Sequence, residues 1–262
     1  MSIAAVIAAL GLPDRARVDR RVPKKTLLEQ ALPGPADRRL LGDAIADLLW
    51  VASLKPETIG LPAFRDTERE YAEIAVVAAT LRAARRAVRV AELLHRAIPY
   101  PVLLVATAAD SARVSIAHKR TSRGEDGRFV ADEVRTTAPF DPATPDPAAC
   151  AFLRSLALAS AAAYARDLFE LYDAWAARID ALAAAAISGE FRVPPPSPTG
   201  GAAGTREAVA SWDEATRELA SLRSRAGREP GIARRIELNL AIQRLEARRC
   251  ALSEALRTEE PR

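Results

Sequence analysis

A chain of 262 residues, 49% hydrophobic and 27% charged, has the composition of a globular protein, with length for one good core and a small second unit. Its net charge of +4 is only mildly basic, and four of its 38 basic residues are lysine (Lys24, Lys25, Lys55, Lys119), so the charge follows an arginine- and alanine-rich composition rather than selection for phosphate contact. Cys150 and Cys250 are far apart and outside any CxxC, which argues against a disulfide framework or a zinc site, and no apolar run approaches the ~20 residues of a membrane span.

In chain order, residues 3–10 are a short helix stopped by Gly11 and Pro13. The opening MSIAAVIAALGLP lacks the basic start of a signal peptide, so a cytoplasmic setting is expected. A basic cluster, Arg20, Arg21, Lys24 and Lys25, leads into a helix broken by Pro33-Gly34-Pro35. Residues 37–53 place Leu40, Leu41, Ala44, Ile45, Leu48, Leu49 and Val51 on one side of a predicted amphipathic helix. Residues 71–80, with Ile74, Val76 and Val77, predict a first strand. Residues 81–97 predict a helix with Val88, Ala91, Leu94 and His95 on one face, stopped by Pro99-Tyr100-Pro101.

Residues 102–107 are continuously apolar, the pattern of a strand covered on both faces. After a turn at Asp110-Ser111, residues 113–119 alternate as a half-exposed strand, and residues 129–136 alternate again. Asp146-Pro147 is an N-cap and first helical residue for a helix over 148–188, with Gly189 as its C-terminal cap. At 1.5 Å per residue that helix would be about 60 Å long and would have to kink or project. The Pro/Gly-rich 193–204 reads as a linker, and 205–226 with 232–256 read as a helical hairpin. In the second arm Leu238, Ile242, Leu245, Leu252 and Leu256 keep a coiled-coil spacing.

The expected fold is α+β: a small, mainly antiparallel sheet in the order strand–helix–strand–strand–strand, packed with helices. The expected division is a body over 1–140, a long helix over 141–192, the linker 193–204 and the hairpin arm 205–262.

The segments Arg20-Arg21-Val22-Pro23-Lys24-Lys25, Trp50 through Lys55-Pro56-Glu57-Thr58-Ile59, Ala97-Ile98-Pro99-Tyr100-Pro101-Val102-Leu103-Leu104-Val105 and Arg234-Arg235-Ile236-Glu237-Leu238-Asn239 together resemble the bacterial family catalogued as domain of unknown function 4391. The resemblance implies an accessory protein encoded beside helicases and DNA methyltransferases in restriction and phage-defence neighbourhoods. It carries no catalytic residue to this chain.

Chemistry-bearing groups are few. A metal-dependent nuclease needs carboxylates at strand ends with a lysine nearby; Asp110 and Lys119 are the nearest approach, and Asp110-Ser111 is also a good turn. His118 has no partner histidine or cysteine in sequence, and His95 sits on an apolar helix face. The stretch 200–204 lacks the strand and the Lys-Ser/Thr of a phosphate loop. No catalytic residue, metal or cofactor is expected. Two basic clusters are nucleic-acid candidates: Arg20, Arg21, Lys24 and Lys25, and then His118, Lys119, Arg120 and Arg123. The Leu238–Leu256 seam is a protein-contact candidate.

The leading expectation is a non-enzymatic accessory subunit of a bacterial restriction or phage-defence system, docked on a helicase or methyltransferase and touching DNA. The alternatives are a divergent Mg²⁺-dependent nuclease using Asp110 and a structural homo-oligomer built through the hairpin seam.

Overall fold

The computed structural model describes residues 3–23, 34–122, 129–194 and 201–258, without the side chains of 201–203 and 258. The chain divides into two compact units, Met1–Ile179 and Asp180–Arg262.

The first unit is α+β. Its central sheet has six strands: β1 (Arg17–Arg21), β2 (Ile45–Leu54), β5 (Ile74–Leu81), β6 (Val102–Ala108), β7 (Ser111–Ile116) and β10 (Arg135–Thr136), in that spatial order. All neighbours are antiparallel except β5 and β6, which run parallel and are joined by the helix α4 (Ala87–Ala97); the short helix α3 (Pro56–Ile59) follows β2. The order predicted from sequence, one crossover and then a meander, is therefore present, with β1 and β2 added on one side. Two ribbons stand apart from the sheet: β3 (Phe64–Arg65) with β4 (Glu70–Tyr71), and β8 (Lys119–Thr121) with β9 (Phe129–Ala131).

On one face, α4 and the helix α2 (Pro35–Ala44) cover the sheet. Leu41, Ile45, Leu48, Val77, Ala79, Val90, Leu93, Leu94, Leu104 and Ala106 form one buried cluster there. Val88, expected on the covered face of α4, is 43% exposed, because that face is carried by Val90, Ala91, Leu93, Leu94 and His95. The first helix, α1 (Ile3–Ala9), lies against β6 and the helix α5 (Pro147–Ser155). Strand β6 is buried along its whole length, as its unbroken apolar run requires.

Residues 37–53 are not one helix. The helix ends at Ala44 and the chain continues as β2. Two β-bulges, between Ile45 and Asp47 and between Trp50 and Ala52, displace the alternation of β2. Its fully buried positions are consequently Ile45, Leu48, Val51, Ala52 and Leu54, a spacing that imitates a helix.

The helix predicted over 148–188 is three pieces: α5, α6 (Leu158–Ala162) and α7 (Leu168–Ser188). Asp146 caps α5 as expected, its carboxylate accepting from the Ala149 amide at 2.7 Å. At the breaks, Trp175 Nε1 donates to the Leu156 carbonyl at 3.0 Å. Arg178 donates to the carbonyls of Ser155 and Ser160 at 2.8 and 2.9 Å. Side chains of α7 thus satisfy the carbonyls that the broken helix leaves open. The alternating run 129–136 is also divided, between β9 and β10, which pair with different strands. The β6–β7 turn is Ala109-Asp110, one residue earlier than expected, with Ala109 at φ 51°.

The second unit contains the end of α7 and a hairpin of α8 (Gly201–Arg228) and α9 (Ile232–Thr258). Of the stretch assigned as a linker, 195–200 lie outside the described residues and 201–204 open α8. Gly189 ends α7 at φ 84°, the left-handed cap expected there. Among the described residues no helix is long and apolar enough to cross a membrane.

Candidate functional site

Polar groups gather at the end of the sheet where β7 finishes and β5 and β6 begin. Antiparallel pairing of β2 with β5 brings Ser53 and Lys55 beside Glu73. Ser53 Oγ donates to Glu73 Oε1 at 2.6 Å, and Lys55 Nζ lies 3.3 Å from Oε2, so both carboxylate oxygens are engaged. Tyr100 stacks on Trp50 with ring centroids 6.0 Å apart. Burial, and after it the charge of Glu73, raise the Tyr100 pKa. Val22, Trp50, Ile98 and Tyr100 all pack on the same cluster. Three of the segments that carry the family resemblance therefore meet here.

Beside this lies a connected polar chain. The buried Tyr71 hydroxyl bonds His118 Nδ1 at 2.7 Å, and His118 Nε2 faces Asp173 Oδ1 at 3.4 Å. Tyr71 and Tyr172, both fully buried, are held as phenols by burial. The Tyr71 hydroxyl also accepts from the Lys119 amide at 3.4 Å. The hydrogen bond from His118 holds the Asp173 carboxyl below its usual range against the opposing effect of burial.

Lys119 is 1% exposed, and its ammonium donates to the carbonyls of His95 and of Ile98, the latter at 2.9 Å. It closes the C-terminal end of α4, where backbone carbonyls lack helical partners. Burial lowers its pKa to about 8. His95 is fully buried, with Nε2 3.1 Å from Ser115 Oγ and no partner for Nδ1 among the described residues. Burial first, and the Lys119 charge second, push it down to about 3, so it is neutral.

The expected basic clusters fare differently. Arg20 and Arg21 are exposed on the edge strand β1; Arg21 pairs with Asp47 at 2.5 Å. Lys24, Lys25 and Arg123 lie outside the described residues. His118 and Lys119 are interior, and Arg120 pairs with Asp132 at 2.9 Å. Strands β1 and β7 are four positions apart in the sheet, about 19 Å at 4.8 Å per strand, so the fold does not merge the two clusters. Asp110 and Lys119 flank opposite ends of β7, about 20 Å of strand apart, and cannot share a metal ion. Among the described residues, no group of three His, Cys, Asp or Glu stands close enough to hold one.

In the hairpin, Leu222 and Ala226 of α8 pack against Leu238, Ala241 and Ile242 of α9. Leu238 and Leu256 are buried, and Ile242, Leu245 and Leu252 are half-buried. Arg223 pairs with Glu246 at 2.6 Å, and the Arg249 guanidinium lies 5.9 Å from the Trp212 ring centre. Of the predicted seam, Leu238 and Ile242 are thus packed on α8. The heptad spacing does not reveal the opposite side of α9, where Ile232, Ile236 and Leu240 are 68%, 55% and 49% exposed. Their spacing of four was the available signal.

No curated protein and no solved structure matches this chain. A family model matches residues 10–248, nearly the whole sequence, and the chain belongs to the family described as domain of unknown function (DUF4391).

Proposed function

We propose that this protein is a non-catalytic accessory subunit of a bacterial restriction or phage-defence system, and that it docks on a helicase or DNA methyltransferase through the bare side of α9. The observation that carries this is the two-faced character of that helix. At 100° per residue the seam centred on Leu238 and the stripe Ile232–Ile236–Leu240 point about 160° apart. One apolar side is spent on α8. The other is a row of large aliphatic side chains in water, which a surface helix ordinarily replaces with charge.

The polar groups at the sheet end support the non-catalytic part. Tyr71 and Lys119 are interior, both Glu73 oxygens are engaged, and the Lys119 ammonium is occupied by carbonyls. They read as a polar framework that fixes α4, β5 and β7. DNA contact, in this account, falls to exposed Arg20 on β1.

Co-expression with the neighbouring genes tests the proposal. The tagged wild type should retain the helicase or methyltransferase stoichiometrically. Ile236→Glu should reduce retention at least ~10-fold at unchanged helix content. Equal retention by the variant, or a self-assembly lost in its place, contradicts it.

A further inference from the structure

A cavity of about 430 Å³ opens at the other end of the sheet, beyond the carboxyl ends of β5 and β6. It belongs to the first unit and shares no residue with the docking helix. Its wall comprises Ala84 and Arg85 of the 3-10 turn that precedes α4, Ala87 at the start of α4, residues 106–108 at the end of β6, Ser111 and Arg113 of β7, and Pro139. The register pairs Ala106 with Arg113 and Ala108 with Ser111, which puts the Arg113 and Ser111 side chains on the face that α4 covers.

Two facts about charge distinguish this cavity. Among the described residues its ionisable lining is two arginines, and neither has an acidic partner there. Arg113 is half-buried, and among the described residues its side chain bonds the Thr137 carbonyl at 2.6 Å. Burial lowers its pKa, with no carboxylate opposing the effect. Arg85 is exposed and has no bonded partner among the described residues. A partly desolvated guanidinium without a counter-charge is costly, and an anion brought to it recovers that cost. The rest of the wall is mostly methyl groups and a proline ring.

We propose that this cavity binds a small organic phosphate, with Arg85 and Arg113 gripping the phosphate oxygens, Ser111 adding a hydroxyl, and the alanine-lined part holding the organic portion. A guanidinium fork takes two anion oxygens at a time, and a phosphate monoester has three terminal oxygens to meet two forks where a carboxylate has two and a halide none. The volume lies within the range of small-molecule sites and exceeds what inorganic phosphate alone would fill. The location, outside the carboxyl ends of a parallel strand pair joined by a crossover helix, is where open sheets of mixed helix and strand hold ligands.

Calorimetric titration of the full chain with phenyl phosphate and with inorganic phosphate tests this. Saturable binding is expected, tighter for phenyl phosphate. Arg85→Ala and Arg113→Gln should each weaken it about 10-fold or more, the loss of one charge-assisted contact. Arg96→Ala, an exposed arginine at the far end of α4, should leave it unchanged. Arg85 is exposed, so its variant decides the matter even if Arg113→Gln fails to fold. The proposal is overturned if neither probe saturates the folded wild type, or if Arg96→Ala costs as much as Arg85→Ala. It is also overturned if a 5′-phosphorylated oligonucleotide binds and excess phenyl phosphate fails to compete.

Discussion

Mild acid should weaken the first unit through His95. The ring is fully buried on the sheet-facing side of α4, close to the Lys119 ammonium, and its pKa is about 3 against an ordinary 6.5. In the unfolded chain the imidazole takes up a proton below pH 6.5; in the folded protein it does not until about pH 3. A depressed folded value means that stability is fully present above 6.5 and is lost as pH falls between those two values. Between pH 7.5 and 5.0 the unfolded state gains about 1.5 pH units of proton affinity that the folded state forgoes, about 2 kcal/mol at 1.36 kcal/mol per unit. Other titrating groups contribute their own slopes, so the comparison is with His95→Leu, and with His95→Gln as a variant able to keep a bond to Ser115. Urea unfolding followed by circular dichroism at both pH values gives the difference. The wild type should lose about 2 kcal/mol more than either variant. Equal losses would refute the placement of a neutral histidine in the core.

Lys119→Met should cost about 2–4 kcal/mol in urea unfolding, because two buried carbonyls at the end of α4 lose their donor. Since the folded lysine titrates near pH 8 and the unfolded one near 10.5, the wild type should gain stability relative to that variant as pH rises between these values. Tyr71→Phe removes the bond to His118 and should destabilise by about 1–2 kcal/mol in the same assay. Arg178→Ala frees the carbonyls of Ser155 and Ser160 and should speed amide exchange around the breaks between α5, α6 and α7, with little change in β5 and β6.

The architecture was legible where one physical signal dominated. The unbroken apolar run 102–107 fixed β6, Pro99 and Pro101 fixed the end of α4, and Asp146-Pro147 fixed the start of α5. Strand β2 was illegible because its bulges shift side chains by one residue and reproduce helical spacing. That misreading also hid the Lys55–Glu73 pair, which exists only once β2 lies beside β5. The breaks near 156 and 163–167 carry no proline or glycine. They are stabilised by Trp175 and Arg178, distant in sequence, so local propensity gave no sign of them. Lys119 looked like a surface cation beside Arg120, yet tertiary contacts bury it under the end of α4. In α9 the seam was visible from its spacing, whereas whether Ile232, Ile236 and Leu240 are covered depends on the packed structure.

The docking claim is tested most directly by placing a photo-crosslinking side chain at position 240 of α9, with position 217 of α8 as control, in cells that express the neighbouring genes. Irradiation at 240 should join the chain to the helicase or methyltransferase, and irradiation at 217 should not. Adducts only between copies of this chain, or equal yields from both positions, would contradict the account.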